Sequence, residues 1–300
     1  MRTAQLLPAA LATSLLLLVS ACGSGAGASS AARVSVVAST NVYGDIAATI
    51  GGGSVTVTSI LSDPSADPHS FEAGARTELA VSDADVVIQN GGGYDDFMQT
   101  LVSATHSTAA VITAVDAHRT AQAAGNALNE HVWYDFPTVA ALAEEIAGVL
   151  RDADPDNAGS YTANAAAFRA QVDGLVAGER AAAATTRGAG VLVTEPVPGY
   201  LLDALGADDR TPAEFSQAIE EGSDVSPAVL QQTLQLVTGG QVRALVYNEQ
   251  TTGPQTRQVL DAAGRAGVAV VPVTETLPSG QHYVSWMQGN LDAIAAALAP

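Results

Sequence analysis

Two stretches of alternating apolar and amphipathic segments flank one long alanine-rich segment, and this order indicates the class of fold. The first stretch contains four runs rich in Val and Ile: "RVSVVAS", "VTVTSIL", "DVVIQNG" and "AVITAVD". The second contains three more: "GAGVLVTE", "VRALVYNE" and "VAVVPVTE". Nearly continuous apolar runs are typical of strands buried on both faces of a parallel sheet. Helical patterns separate them, so the sequence predicts an α/β protein with mostly parallel sheets.

The segment between the two stretches, residues 158–187, is rich in alanine and contains no proline. It therefore predicts one long helix. We expect an amino-terminal α/β lobe over 33–157 and a carboxyl-terminal α/β lobe over 188–300, joined by this helix. A single, rigid helical connection favours limited hinge bending, and a ligand is expected in the cleft between the lobes.

The first residues resemble the export signal of a bacterial lipoprotein. Arg2 precedes an apolar stretch, and "VSAC" at 19–22 matches a lipobox that ends at the only cysteine of the chain. The alternatives are a transmembrane anchor or a buried cysteine, but the apolar stretch is short and interrupted by Pro8. We predict a signal peptide over 1–21, lipidation of Cys22 and a flexible tether over 22–32. The folded part is then expected on the extracytoplasmic face of the bacterial cell membrane, held by its lipid anchor only.

The charge of the chain narrows the classes of partner. The formal net charge is −19, and all twelve basic residues are arginine. Such an acidic chain argues against binding to nucleic acid, whose phosphates attract basic surfaces. We expect a monomer that handles a small solute.

Four potential metal ligands follow strands, where ligands bind in doubly wound sheets. His69 follows "VTVTSIL", His131 comes after "AVITAVD", and Glu195 and Glu275 end "VLVTE" and "VPVTE". Each also has a structural explanation, because a histidine can be exposed or packed and a glutamate can cap the next helix. Their joint placement favours a metal site between the lobes.

Around these residues the chain resembles the manganese- and zinc-binding solute receptors of ABC transporters, often called cluster A-I. "DPHSFE" and "HVWYD" resemble the two histidine motifs, and "VLVTEPVPGYLLDALG" and "VPVTETLPSGQHYVSWMQGNLDAIAAAL" resemble the third and fourth ligand segments. The resemblance runs from about residue 34 to residue 300 with the motifs in order. It implies two α/β lobes bridged by a long helix, and delivery of the metal to an ABC permease.

The resemblance also implies a ligand set. His69 and His131 match the two histidines of the amino-terminal lobe, and Glu195 falls where relatives have histidine or glutamate. Glu275 falls where most relatives have aspartate, so Glu249 in "VYNEQTTGP" is a reserve candidate. His118 lies in the segment where zinc-specific relatives have a His-rich loop, and we expect it to be solvated.

Two imidazoles and two carboxylates suit one divalent transition-metal ion, Mn²⁺ or Zn²⁺. Carboxylate oxygens favour harder ions such as manganese, whereas the Irving–Williams order favours zinc in any such site. A closed site without an open position is a carrier site, and the zinc-peptidase pattern H-E-x-x-H is absent. We therefore expect a receptor and no enzyme. The alternatives are a metal-dependent hydrolase in the same cleft and a surface adhesion protein with a structural metal.

Two further features have structural explanations. "QNGGGYDDFM" is glycine-rich but lacks phosphate-loop spacing, so its glycines are expected to allow close backbone approach beneath the cleft. Tyr200 and Tyr283 are expected either to line the cleft or to pack, and Trp133 is expected in the core.

Overall fold

The computed structural model describes residues 33–63, 71–118 and 128–300. The first sheet contains β1 (Val34–Thr40), β2 (Val55–Leu61), β3 (Val86–Gln89) and β4 (Ala110–Thr113). Its strand order is β2-β1-β3-β4 and every pairing is parallel, with Val36 opposite Val57 on one side and Val86 on the other. The four apolar runs of the amino-terminal half thus form one parallel sheet, as predicted.

The second sheet repeats this arrangement in the carboxyl-terminal half. It contains β5 (Gly190–Val193), β6 (Asp208–Asp209), β7 (Ala244–Asn248) and β8 (Ala269–Val273), in the order β6-β5-β7-β8 and again parallel. Strand β6 was not predicted. It consists of two exposed aspartates, so it has none of the apolar character by which a buried strand is recognised.

Helices connect the strands and cover the sheets. The described helices are α1 (Asn41–Gly51), α2 (Ala75–Ser82), α3 (Asp96–Thr105), α4 (Phe136–Ala153), α5 (Ala158–Thr186), α6 (Gly199–Ala204), α7 (Ala213–Glu220), α8 (Pro227–Thr238), α9 (Pro254–Ala266) and α10 (Tyr283–Leu298).

Helix α5 is the long connection between the two halves, with 29 residues. It packs against α1 and α4 of the first half and against α10 of the second. Its buried residues include Tyr161, Phe168 and Leu175, which belong to one apolar cluster that continues into both sheets. The lobes therefore share a core along this helix, which stabilises their mutual arrangement through the hydrophobic effect.

Polar contacts add a second connection between the lobes. The side-chain amide of Asn41 bonds to both backbone groups of Leu277, at 2.8 Å each. The carboxylate of Asp45 accepts bonds from the backbone N–H of Tyr283 at 2.8 Å and from Nδ1 of His282 at 2.7 Å. Helix α1 is thus bonded to the chain that leads into α10. The lobes are joined more extensively than by the single helix expected from the sequence.

Arg33–Pro300 form one compact unit. Within the described ranges, no helix combines the length and apolar character needed to span a bilayer. The predicted signal peptide over 1–21 and the predicted tether over 22–32, with Cys22, lie outside the described residues.

Candidate metal site

The carboxyl ends of the second sheet carry the two predicted glutamates. Glu195 comes two residues after β5, and Glu275 comes two residues after β8. Both are buried, with 3% and 2% of their surface exposed. Between their strands lies β7, which ends at Asn248. The parallel topology thus places two carboxyl groups and one amide at the same sheet edge.

Asn248 connects the two glutamates. Its Nδ2 donates to Oε2 of Glu195 and to Oε1 of Glu275, at 2.6 Å each. Its Oδ1 accepts a bond from the backbone N–H of Gln250 at 3.1 Å, which fixes the orientation of the amide. Both amide hydrogens are therefore directed at carboxylates. Hydrogen bonds to charged acceptors are the strong ones, and this pair holds the two glutamates side by side.

Further bonds hold each glutamate in place. The Thr251 hydroxyl donates to Oε1 of Glu195. The backbone N–H of Glu275 donates to Oε1 of Gln250 at 2.6 Å. Glu275 also lies beside Tyr94: burial first, and then the charge of Glu275, raises the pKa of that phenol well above its usual value. Two buried acidic side chains are thus fixed by neutral partners, a setting that suits a cation.

Glu249, the reserve candidate, faces away from this pair. It is exposed, and the Tyr247 hydroxyl donates to it at 3.4 Å. The structure therefore brings Glu275, and not Glu249, next to Glu195.

His131 is buried, with 1% of its surface exposed, and Asn129 determines its tautomer. Nδ2 of Asn129 donates to the carbonyl of Pro196 at 2.8 Å, so Oδ1 is the atom that faces His131 Nδ1 at 2.7 Å. An amide oxygen only accepts, so Nδ1 of His131 carries the proton. The lone pair of the neutral ring is then on Nε2. This is the arrangement in which a partner of the other ring nitrogen prepares a histidine for metal binding.

The Nε2 atom of His131 faces Glu220, a glutamate that was not predicted. Its distance to Oε1 of Glu220 is 3.8 Å. Across the described ranges, three potential ligand atoms lie within 4.8 Å of one another at Glu130, His131 and Glu220. Burial first, and then the charges of Glu130, Glu195 and Glu221, raises the pKa of Glu220 to about 8. Glu220 ends α7 in the pair "EE", and such a pair at a helix end is typical of a solvated surface, so nothing in the sequence pointed to this residue.

His69, the first predicted ligand, lies outside the described residues. The structure thus places Glu195 and Glu275 together, with His131 against Glu220. The roles of His69, His131, Glu195 and Glu275 as ligands stay predictions.

The expectation that His118 is solvated was wrong. The side chain is buried, and its Nδ1 lies 2.8 Å from both Oδ2 of Asp135 and Oγ1 of Thr138, at the start of α4. Its ring packs 4.7 Å from the ring of Tyr200. The polar groups at the helix terminus satisfy the imidazole, so its burial costs little. The acidic residue that precedes "FPT" was a signal for this partner.

The aromatic residues form a layer behind His131. Trp133 is buried, as predicted, with ring centroids 5.1 Å from His131 and 4.8 Å from Tyr94. Tyr283 is fully buried and donates to the carbonyl of Trp133 at 2.7 Å, so it packs rather than lines the cleft. Tyr200 is partly buried and donates to the carbonyl of Asn129 at 2.7 Å. Both tyrosines therefore support the segment that carries His131.

The glycine-rich turn after β3 is used internally. The backbone N–H groups of Asn90 and Gly91 donate to the carboxylate of Asp95 at 2.6 and 2.8 Å. Gly91 has φ +76°, and a Cβ there would lie 2.6 Å from Thr113. The turn thus permits close backbone approach, as expected, and its amides already bind a carboxylate of the same chain.

Two α/β lobes with buried carboxyl groups and a buried histidine between them are typical of a binding protein for a cation. Comparisons with known proteins agree with this class. The profile of the family described as "ZnuA: Zinc-uptake complex component A periplasmic" matches residues 36–297. The chain belongs to this family. The description of the family is that of a metal-uptake component, so the chain is a metal-binding transport component and not an enzyme.

The sequence identities to individual relatives are low. The manganese-binding lipoprotein MntA of Halalkalibacterium halodurans is 24% identical over 277 residues, which cover 88% of each chain. The protein of the same name from Bacillus subtilis is 27% identical over 257 residues, 83% of this chain and 82% of the relative. Among solved structures, the periplasmic zinc-binding protein TroA of Treponema pallidum has a TM-score of 0.74 at 20% identity. That match covers 89% of this chain and all of TroA, and it shows the shared fold.

Proposed function

We propose that the protein captures one divalent transition-metal ion in the cleft between its lobes and delivers it to an ABC permease for uptake. The observation that carries the proposal is the pair of buried glutamates, Glu195 and Glu275, held side by side by Asn248. Two carboxyl groups in a water-poor site repel each other when ionised, and a divalent cation converts this repulsion into attraction. A site of this kind is suited to binding and release of an ion.

The proposed ligands are His69, His131, Glu195 and Glu275. His131 is supported by the tautomer that Asn129 imposes on it, and the glutamates by their burial and their shared partner. His69 rests on the motif "DPHSFE". Two neutral imidazoles and two carboxylates give a filled site without net charge, which reduces the cost of removing the ion from water.

The proposed ion is Mn²⁺ or Zn²⁺. The matching family is described by zinc uptake, whereas the two relatives above are named for manganese. Carboxylate oxygens favour manganese, and the Irving–Williams order favours zinc. We infer a site that binds both ions in solution, with availability in the cell deciding which one is carried.

The proposed location is the extracytoplasmic face of the cell membrane, with the chain as a monomer anchored through lipid on Cys22. The support is the sequence "VSAC" at 19–22, together with the lipoprotein names of the relatives. Several acyl chains anchor a protein firmly, whereas one gives only marginal binding. The comparisons give no support to a hydrolase or an adhesion protein.

Titration of metal-stripped protein with Mn²⁺ and Zn²⁺ tests the function. We expect one ion per chain and a higher melting temperature, because a ligand that binds only the folded state stabilises it. At free metal about 100-fold above Kd, the stabilisation is about 2.7 kcal/mol. His131→Ala should lose most of this stabilisation. His106→Asn is the matched control, since His106 is exposed and asparagine tolerates its positive φ of 50°.

Two results would contradict the proposal. One is a wild-type protein that binds neither ion. The other is a His131→Ala protein that keeps the full metal-induced shift.

A further inference from the structure

Glu220 is the last residue of α7, and its carboxylate meets the metal-binding edge of His131. Oε1 of Glu220 lies 3.8 Å from Nε2 of His131. Nε2 is the ring atom with the lone pair, because Nδ1 donates to Asn129. A carboxylate oxygen of the carboxyl-terminal lobe is thus directed at Nε2 of His131, the nitrogen that can bind a metal.

The separation of these two atoms fits a shared ion. Nitrogen and oxygen ligands bind transition metals at about 2.0–2.2 Å. Two such bonds place their ligand atoms about 3.4 Å apart at a tetrahedral angle and about 4.2 Å apart when collinear. The observed 3.8 Å lies between these limits. It exceeds the length of a hydrogen bond.

The surroundings of Glu220 favour a cation as well. Its side chain is 16% exposed, yet Oε1 itself is buried and has no hydrogen-bond donor among the described residues. Its charged neighbours, Glu130, Glu195 and Glu221, all have the same sign. A buried carboxylate oxygen without a donor and among like charges is destabilised, and a bound divalent ion relieves this.

We propose that Glu220 is an additional metal-binding carboxylate that coordinates the ion together with Nε2 of His131. This inference rests on the proposed function and deepens it. The carboxyl-terminal lobe then supplies three carboxylates, two from strand ends and one from a helix end. An added oxygen ligand favours harder ions and higher coordination numbers, and thus manganese over a strictly tetrahedral zinc site.

The test compares Glu220→Gln with Glu221→Gln. Glu221 is the exposed neighbour at the same helix end, so its substitution removes one charge without touching His131. Titration of metal-stripped protein with Mn²⁺ should show about tenfold weaker binding for Glu220→Gln, about 1.4 kcal/mol. Glu221→Gln should remain within about twofold of wild type, in line with a screened surface charge. Zn²⁺ should lose less affinity than Mn²⁺, because zinc depends less on oxygen ligands.

The stability of the metal-free protein separates coordination from a structural role. Glu220→Gln replaces a buried carboxyl group whose ionisation is disfavoured by burial and by like charges, so its metal-free melting temperature should equal or exceed that of wild type. A structural role predicts the opposite, a lower melting temperature with unchanged metal affinity. The visible spectrum of bound Co²⁺ gives an independent readout, and it should change in Glu220→Asp, which keeps the charge but shortens the reach.

The outcomes are distinguishable from failure of the proposed function. If wild type binds the metal and Glu220→Gln binds it equally well, Glu220 is not a ligand and the proposed function stands. If Glu220→Gln does not fold, an unchanged Co²⁺ spectrum in Glu220→Asp overturns the inference. If wild type binds no divalent ion, the proposed function fails and this inference fails with it.

Discussion

The two sides of the cleft hold their candidate ligands in different ways. On the carboxyl-terminal side, Glu195 and Glu275 are bonded to Asn248 of the strand between them, within one sheet. On the amino-terminal side, His131 is held by Asn129, whose other bond goes to Pro196 of the opposite lobe. The carboxylates are thus held inside their own lobe, whereas the residue that orients the histidine also bonds across the cleft.

This difference predicts that substitutions on the two sides of the cleft affect different properties. Changes to the carboxylate network should act on the stability of the lobe, because strong bonds to buried charges are lost there. Changes to the support of the histidine should act on metal affinity, because they affect the orientation of one ligand. Separate measurements of metal-free stability and of metal affinity therefore test this difference between the two sides.

The largest effect is expected for Asn248→Ala. It removes two hydrogen bonds to charged acceptors, each worth about 1.5–3 kcal/mol, so the free energy of unfolding of metal-free protein should fall by about 3 kcal/mol. Denaturant unfolding measures this change, with Glu249→Ala as the exposed neighbouring control. A loss below about 0.5 kcal/mol, within the range of ordinary surface substitutions, would show that the carboxylates do not depend on Asn248.

Asn129→Ala should have a smaller and different effect. Substitution of a residue that orients a metal-binding histidine lowers metal affinity by about tenfold or more. Metal-free stability should fall by only about 1 kcal/mol, as for a neutral hydrogen bond. Asn129→Asp keeps the acceptor for Nδ1 of His131 and loses the donor to Pro196, so it should recover affinity. Equal metal affinities of Asn129→Ala and wild type would show that Asn129 does not orient His131 for metal binding.

The smallest effect on metal binding is expected at Glu179. This buried carboxyl group of helix α5 is a candidate ligand on neither side of the cleft. Burial first, and then the charge of Asp135, raises its pKa from 4.5 to about 8. The folded state then keeps a proton that the unfolded state loses above pH 4.5, so this group makes stability fall as the pH rises from about 4.5 to about 8. Glu179→Gln should remove that slope and stabilise the protein at pH 8 more than at pH 5, with metal affinity unchanged.

Thermal unfolding between pH 5 and pH 8 measures this slope. Glu144→Gln is the control, since Glu144 is an exposed glutamate on helix α4. An equal effect of Glu179→Gln at both pH values would show that Glu179 does not titrate in this range.

Particular residues show how far the sequence could predict this arrangement. The apolar runs predicted seven strands because buried parallel strands need continuous Val and Ile, and the strand-end rule placed Glu195 and Glu275 at one edge. The rule gave no weight to Asn248, which ends a strand but has no charge, although it holds both glutamates. Glu220 was not predicted for another reason: it approaches the cleft from the end of a helix, and only the tertiary packing of α7 reveals this.

His118 was expected to be solvated but is buried. Its loop position and polar neighbours favoured a solvated side chain, but the start of α4 supplies Asp135 and Thr138 as partners. Local sequence describes polarity, while burial depends on which distant groups satisfy it. Contacts between the lobes, such as those of Asn129 and Asp45, were beyond prediction for the same reason.

A crystal structure of metal-loaded protein, with anomalous scattering recorded at the absorption edge of the metal, would show which residues bind the ion. We predict one anomalous peak per chain in the cleft, about 2.0–2.2 Å from Nε2 of His131, with carboxylate oxygens of Glu195 and Glu275 bound to the same ion. A peak outside the cleft, or a peak in contact with none of His131, Glu195 and Glu275, would show that these residues do not bind the ion.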